Sequence, residues 1–257
     1  MKKLFVLIFS IVLLSGCASF TNQKGDTFKF SIQQYTLSSP APSVIVSHGG
    51  GCLTSFEHSW AKTLNDWGYN AIVIDHCTSR GIGKHTGVEP PPLNVHDRVS
   101  DYAVVAEWLQ SQNFHKGKIA LLGQSRGGEG VMRASDPRFN RTYGGDETLS
   151  FISAFIAYYP PCNSPLVSSR APVLIHHGDQ DNLARFSWCE YDKWATNQIR
   201  LNVYKGVSHA FDQPGSTLTG SNKYIGNFIV RKYDHEAATK SQQVTRDFLN
   251  ETLKDIK

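Results

Sequence analysis

Leu121-Leu122-Gly123-Gln124-Ser125-Arg126-Gly127-Gly128 joins an apolar run to a Gly-x-Ser-x-Gly turn. Upstream, Lys118-Ile119-Ala120-Leu121-Leu122 is bounded by Gly117 and Gly123, the pattern of a parallel strand buried on both faces. Downstream, Glu129 to Ala134 has no proline and carries good helix formers, so a helix starts near Arg126. A serine at such a strand-to-helix corner is a nucleophile elbow. Its backbone is strained, and the flanking glycines are required because a side chain there would collide with the neighbouring strand or helix.

A serine hydroxyl is a weak nucleophile near neutral pH and needs a base, a group that orients the base, and donors for an oxyanion. The base is expected at His209, where the extended run 199–204 ends in a glycine loop. The acid is expected after Pro172-Val173-Leu174-Ile175-His176-His177-Gly178, at Asp181 in preference to Asp179. The order Ser125, Asp181, His209 is the one in which α/β-hydrolases supply their triad. For the oxyanion hole, Ser43-Val44-Ile45-Val46-Ser47 runs into His48-Gly49-Gly50-Gly51. Glycines let backbone amides approach a reacting carbonyl, so one donor is assigned to Gly50, with Gly51 as the alternative, and the other to the amide of Arg126.

The rest of the chain traces an α/β fold: a doubly wound, mostly parallel sheet with helices on both faces and no insertion large enough for a lid domain. Strands are expected at 28–37, 43–47, 70–75, 118–122, 152–159, 172–177 and 199–204. Helices are expected at 55–67 with Gly68 as C-cap, at 97–112 with Val99, Val104, Val105, Trp108 and Leu109 inward, at 188–198 and at 235–253. Two long connections, 78–95 with Pro90-Pro91-Pro92 and 212–234, follow strands that carry site residues and are expected to line a substrate pocket.

These segments carry a family resemblance. Gly68 to Asp75 with Ser79-Arg80-Gly81, Asp97-Arg98 leading to Glu107-Trp108-Leu109, Ala157-Tyr158-Tyr159-Pro160-Pro161-Cys162, Gly178 to Asp181 and His209-Ala210-Phe211-Asp212 resemble the dienelactone hydrolase-like α/β-hydrolases from about residue 28 to the C-terminus. The resemblance implies Ser125 as nucleophile, Asp181 as acid and His209 as base. The dienelactone hydrolases proper place cysteine where this chain has Ser125, so the founding substrate of the family is not carried over.

The N-terminus reads as a leader. Met1-Lys2-Lys3 precedes an apolar run, 4–14, too short for an ordinary transmembrane helix, as in a secretory signal peptide. Leu14-Ser15-Gly16-Cys17 resembles the bacterial lipobox, which assigns 1–16 to a cleaved signal, Cys17 to lipidation, 17–27 to a tether and 28–257 to the hydrolase domain. Acyl chains contribute about 0.8 kcal/mol per buried methylene, enough for several chains on one cysteine to anchor durably. A cell-envelope location follows. With two membranes the outer one is favoured, because Ala18-Ser19 lacks an acidic retention residue.

Composition fits one domain: 257 residues, 40% hydrophobic and 19% charged. The formal net charge of +4 drops to +2 without Lys2 and Lys3, and no basic cluster points to nucleic acid. Oligomeric state is not set by the sequence. Of five cysteines, four remain after Cys17, and an even number in an oxidising compartment suggests pairing. Cys162 with Cys189 is the preferred bridge, because their strands should be near neighbours, and Cys52 with Cys77 is the second.

His48, His76, His176 and His177 sit near strand ends but lack zinc-motif spacing, so no metal site is assigned. Arg80 and Arg126 are open between substrate carboxylate contact and structural ion pairing. The expected activity is carboxylic ester hydrolysis through an acyl-enzyme, without a cofactor. The alternatives are a peptidase or amidase related to the prolyl oligopeptidases, which usually add a gating domain, and an inactive binding lipoprotein on a hydrolase scaffold.

Overall fold

The computed structural model describes residues 14–16, 20–21, 27–28, 30–83, 93–139, 149–162, 166–189, 197–221 and 228–254. Its strands are β1 (Leu14–Gly16), β2 (Phe20–Thr21), β3 (Thr27–Phe28), β4 (Ser31–Tyr35), β5 (Ala41–Ser47), β6 (Asn70–Asp75), β7 (His115–Gln124), β8 (Ile152–Tyr158), β9 (Val173–Gly178), β10 (Ile199–Tyr204), β11 (Thr217–Ser221) and β12 (Phe228–Lys232). The main sheet runs β1-β4-β6-β5-β7-β8-β9-β10. From β6 to β10 all pairings are parallel, while β4 and β1 add antiparallel to one edge.

Among the described residues, four long helices cover the sheet: α1 (Ser55–Asp66), α2 (Val95–Leu109), α3 (Arg126–Ser135) and α4 (His235–Leu253). Period-two alternation divides the strands between two cores. Ile45, Leu121, Phe155 and Ile175 pack with Val99, Tyr102 and Leu109 of α2, whereas Val44, Leu122, Ile156 and Leu174 pack with Trp60 and Leu64 of α1 and Phe248 and Leu249 of α4. Each face is therefore dry, which is why β5 and β7 read as continuous apolar runs.

Local chemistry sets the helix ends. Thr54 accepts from the Phe56 amide, and Glu57 accepts from the amide and hydroxyl of Thr54, a capping box that starts α1. Gly68, at φ +91°, lets the Tyr69 amide reach back to Leu64 O and closes the same helix. Asn94 and Asp97 make the equivalent box at α2, so that helix begins at Val95, two residues before its expected start.

One expected strand is corrected, and three further stretches gain detail. The first strand is 31–35 rather than 28–37, because Phe28 instead pairs with Phe20 in the β2–β3 ladder, inside a stretch read as an irregular tether. Leu14–Gly16, at the end of the expected leader, pairs with the outer edge of β4, whose unpaired amides and carbonyls accept any extended segment. The 212–234 connection is no simple loop: β11 and β12 form an antiparallel hairpin there. Of the helix expected at 188–198, residues 190–196 lie outside the described set, and Phe186–Trp188 is a 3-10 turn. Cys17, the apolar run 4–13 and Pro90-Pro91-Pro92 also lie outside it.

The elbow fits because of two close approaches. A Cβ on Gly127 would lie 2.5 Å from Ser47 O, and one on Gly123 would lie 2.5 Å from the carbonyl carbon of Gly127. Gly127→Ala is accordingly expected to lower stability by about 1–3 kcal/mol through overpacking, read as a reduced urea midpoint with an unchanged slope.

Candidate active site

The carboxyl ends of the central parallel strands converge on one cavity, as expected for an open α/β sheet. Ser125 stands at the corner between β7 and α3 with φ +50° and ψ −116°, its amide bonded to Tyr158 O at 2.9 Å. Asp181 follows β9, and its Oδ1 accepts from the amides of Leu183 and Ala184 at 2.9 and 2.8 Å. His209 lies beyond β10. Its Nδ1–H donates to Asp181 Oδ2 at 2.7 Å, which leaves Nε2 to accept from the Ser125 hydroxyl at 3.0 Å. The structure thus brings together the three residues expected from the sequence. Asp179 is engaged elsewhere, accepting from the Gly206 amide at 2.7 Å.

Electrostatics favour a charged acid. Burial opposes ionisation of Asp181, but the adjoining His209 and His177, with their hydrogen bonds, hold its carboxyl well below the usual range. The acid is therefore an anion against which an imidazolium can form.

The oxyanion side is equally fixed. Gly49, Gly50 and Gly51 line the cavity with Ser125. The Arg126 amide opens α3, where an N–H has no intrahelical acceptor and the helix dipole favours negative charge. Next to the glycines, buried Arg98 donates to His48 O at 2.9 Å and Gly49 O at 3.1 Å, so both carbonyls are held on the guanidinium. His76 ties β6 to the same loop. Its Nδ1–H donates to Asp101 at 2.6 Å, its Nε2 accepts from Ser47, and its amide donates to His48 Nε2. Burial pushes Asp101 up to about 7 against the pull of Arg80, and burial with Arg98 close by holds His48 and His76 well below the normal histidine range.

These bonds settle the arginines and histidines. Arg80 is bidentate on Asp101 at 2.8 and 2.9 Å, and Arg126 pairs with Glu129 at 2.9 Å, so both make structural ion pairs. His48, His76 and His176 have both ring nitrogens hydrogen-bonded, and His177 donates to Ala184 O. Two groups of three metal-capable side chains do occur among the described residues: Cys162, His177 and Cys189, and His48, Asp75 and Cys77. Their cysteines are spent in disulfides. Cys52–Cys77 and Cys162–Cys189 are both bonded, at 2.05 and 2.08 Å, in the expected pairing.

Sequence reading missed the cavity walls. Glu57, Phe56, Gln124, Tyr159, Gln213 and Arg231 join Ser125 and His209 around about 170 Å³. Gln213 and Arg231 come from the long 212–234 connection, as expected. The described residues of 78–95 do not reach the cavity. The β11–β12 hairpin is stitched to both catalytic loops: the Val230 amide donates to Asn182, the Lys232 amide to Ser208, and Arg231 bridges His209. Arg98 did leave a trace, since Arg98, Tyr102, Val105 and Leu109 share one helical face and a cation on an apolar face needs partners.

Backbone strain marks the same place. Cys52, Ser125, Tyr159 and Ala210 are the non-glycine residues with positive φ among the described residues, and all four line this cavity. Such conformations cost about 1–3 kcal/mol each and persist where the surroundings over-determine them.

A doubly wound sheet with serine, aspartate and histidine in this order and geometry defines an α/β-hydrolase. The chain belongs to the dienelactone hydrolase family, whose profile matches residues 33–253. Among solved structures it is similar to a dienelactone hydrolase-like promiscuous phosphotriesterase, P91, from metagenomic libraries (15% identity, TM-score 0.71, 95% of this chain and 99% of that one). It is also similar to esterase 2 of Thermogutta terrifontis, both with propionate bound (18%, 0.62, 92% and 94%) and phosphorylated by paraoxon (17%, 0.61, 92% and 94%). None of the curated sequences compared with the chain matches it.

Arg98→Met is expected to remove the guanidinium bonds to the His48 and Gly49 carbonyls, leaving Gly49 O to His48 Nδ1–H alone, and to cost about 2–3 kcal/mol, measured as a lower thermal midpoint with the disulfides intact.

Proposed function

We propose that this protein is a serine esterase for small carboxylic esters, held at the cell envelope by lipid on Cys17. The observation that carries the reading is the continuous hydrogen-bonded chain from Ser125 Oγ through His209 to Asp181, opening into the cavity behind the oxyanion loop. Ser125 attacks the ester carbonyl while His209 takes its proton, and Asp181 stabilises the imidazolium. The amides of Arg126 and of Gly50 or Gly51 receive the developing oxyanion. His209 then protonates the departing alcohol, and a water activated by the same imidazole releases the acid.

Ester specificity is supported by size. About 170 Å³ accommodates a short acyl group rather than a long chain or a folded peptide. No lid or gating domain stands over the cavity among the described residues, which speaks against the peptidase alternative. The propionate held by the similar Thermogutta esterase agrees with a short acyl group. The cavity also offers polar contacts. The Gln124 amide is buried beside Ser125 without a partner among the described residues, and the Arg231 cation stands on the wall.

The envelope assignment rests on the lipobox-like Leu14-Ser15-Gly16-Cys17, and the two disulfides suit an oxidising compartment. Processing before Cys17 would remove β1 and return β4 to the sheet edge, with the triad strands untouched.

Ser125→Ala is expected to abolish hydrolysis of p-nitrophenyl acetate, by at least ~10⁴-fold, and covalent capture by a fluorophosphonate probe. A folded Ser125→Ala protein with full turnover would overturn the assignment. For the anchor, Cys17→Ser is expected to move the protein from the membrane to the soluble fraction and to abolish incorporation of labelled palmitate. Persistent palmitate labelling of that variant would exclude Cys17 as the site.

A further inference from the structure

Of the four strained residues around the cavity, Ser125 is the elbow, Cys52 is bridged to Cys77, and Ala210 follows His209 directly. Tyr159 has no place in the triad or the oxyanion hole, yet an aromatic residue at φ +37° is unusual and must be held there. Two bonds hold it. Its amide donates to His176 O at 2.7 Å, and its buried hydroxyl donates to Asp212 Oδ1 at 2.7 Å. Between these fixed points its ring meets the His209 imidazole at 4.6 Å between centroids, inclined at 63°. Asp212 lies three residues beyond His209, so the contact closes a small circuit from His209 through its own loop to Asp212, across to Tyr159 and back to the imidazole.

Resting on the reading of Ser125 and His209 given above, we propose that Tyr159 and Asp212 form a second buried pair that positions His209 for proton transfer. Tyr159 bears on one side of the imidazole while Asp181 holds Nδ1, so the ring has two independent restraints and Nε2 stays directed at Ser125. A base held in line by two contacts loses little time in unproductive orientations, which acts on turnover rather than on substrate binding. Neither residue exchanges a proton with substrate. Both are positioning residues, Asp212 through Tyr159.

The surroundings make the pair sensitive to protonation. Around Asp212 stand the Tyr159 hydroxyl, the Trp60 indole N–H, which favours its charge without reaching hydrogen-bond geometry, and the Glu57 carboxyl of α1, which opposes it. Tyr158 at the end of β8 and Tyr204 at the end of β10 lie within its field, and Arg231 of β12 faces Tyr159 and Asp181. Burial dominates and pushes Asp212 up to about 7. Above that pH the carboxylate accepts a charge-assisted bond from Tyr159, and below it the acid accepts a weaker one. The restraint on His209 therefore tightens as pH rises through 7.

The test compares wild type, Asp212→Asn, Tyr159→Phe and the double variant on p-nitrophenyl acetate from pH 5 to 9, each checked for folding by its melting transition. The asparagine keeps the shape and an acceptor for Tyr159 without the charge; the phenylalanine keeps the ring without the tether. Each single variant is expected to lower kcat 3- to 10-fold at pH 8 with KM within twofold, to lose the Asp212 contribution near pH 7 to the kcat profile, and to be no more active than the double variant. The pair is overturned by single variants that match wild type in kcat and pH profile, by effects confined to KM, or by losses that multiply in the double variant. Wild-type protein that neither hydrolyses the ester nor labels with fluorophosphonate overturns the esterase reading and the pair with it, whereas active wild type with unaffected variants overturns the pair alone.

Discussion

A serine held at positive φ between a ten-residue strand and a helix is the constraint on which the rest of this structure depends. Such a corner is unfavourable by itself, and it persists because β7 is hydrogen-bonded to β5 on one side and β8 on the other, with α3 packed down on the strand ends. Packing that tight admits no Cβ at Gly123 or Gly127. In return α3 starts at Arg126, directly after Ser125, so the proposed nucleophile and one proposed oxyanion donor belong to the same turn.

The loop 48–51, proposed as the other half of the oxyanion hole, has no such covalent neighbour and is held by charge. Arg98, His76, Asp101, Arg80, Ser47 and Tyr102 form a largely buried polar network behind His48 and Gly49, while the Cys52–Cys77 bond clamps the far end. Burying an arginine is costly unless its donors are used, and here they are used on the His48 and Gly49 carbonyls. The network therefore orients amides by occupying carbonyls. The second disulfide, Cys162–Cys189, ties the segment after β8 to the segment beyond Asp181, so each bridge braces a different wall of the site.

Legibility followed the range of the interactions. The strands at 70–75 and 199–204 and the helix at 235–253 stand at the expected residues, because extended runs and helical periodicity are written in consecutive side chains. The β11–β12 hairpin was not legible, since its partners are Asn182, Ser208 and His209 rather than a periodic apolar face of its own. The edge pairing of Leu14–Gly16 was hidden for the same reason. Histidines that looked equally available in the sequence proved to be fully hydrogen-bonded, and two arginines open to substrate proved to be paired with carboxylates.

The sequence by itself determined the family and the α/β architecture, and it placed Ser125, Asp181 and His209 after strand ends marked by glycine. Tertiary structure alone decided which side chains wall the cavity, that Arg98 holds the His48 and Gly49 carbonyls, and that Tyr159, bonded to Asp212, meets the His209 ring. The division has a physical cause. A turn or an apolar stripe is encoded by neighbours within a few residues, whereas contacts such as Arg98 with His48, or Tyr159 with Asp212, join residues about fifty positions apart and exist only once the sheet has brought their strands together.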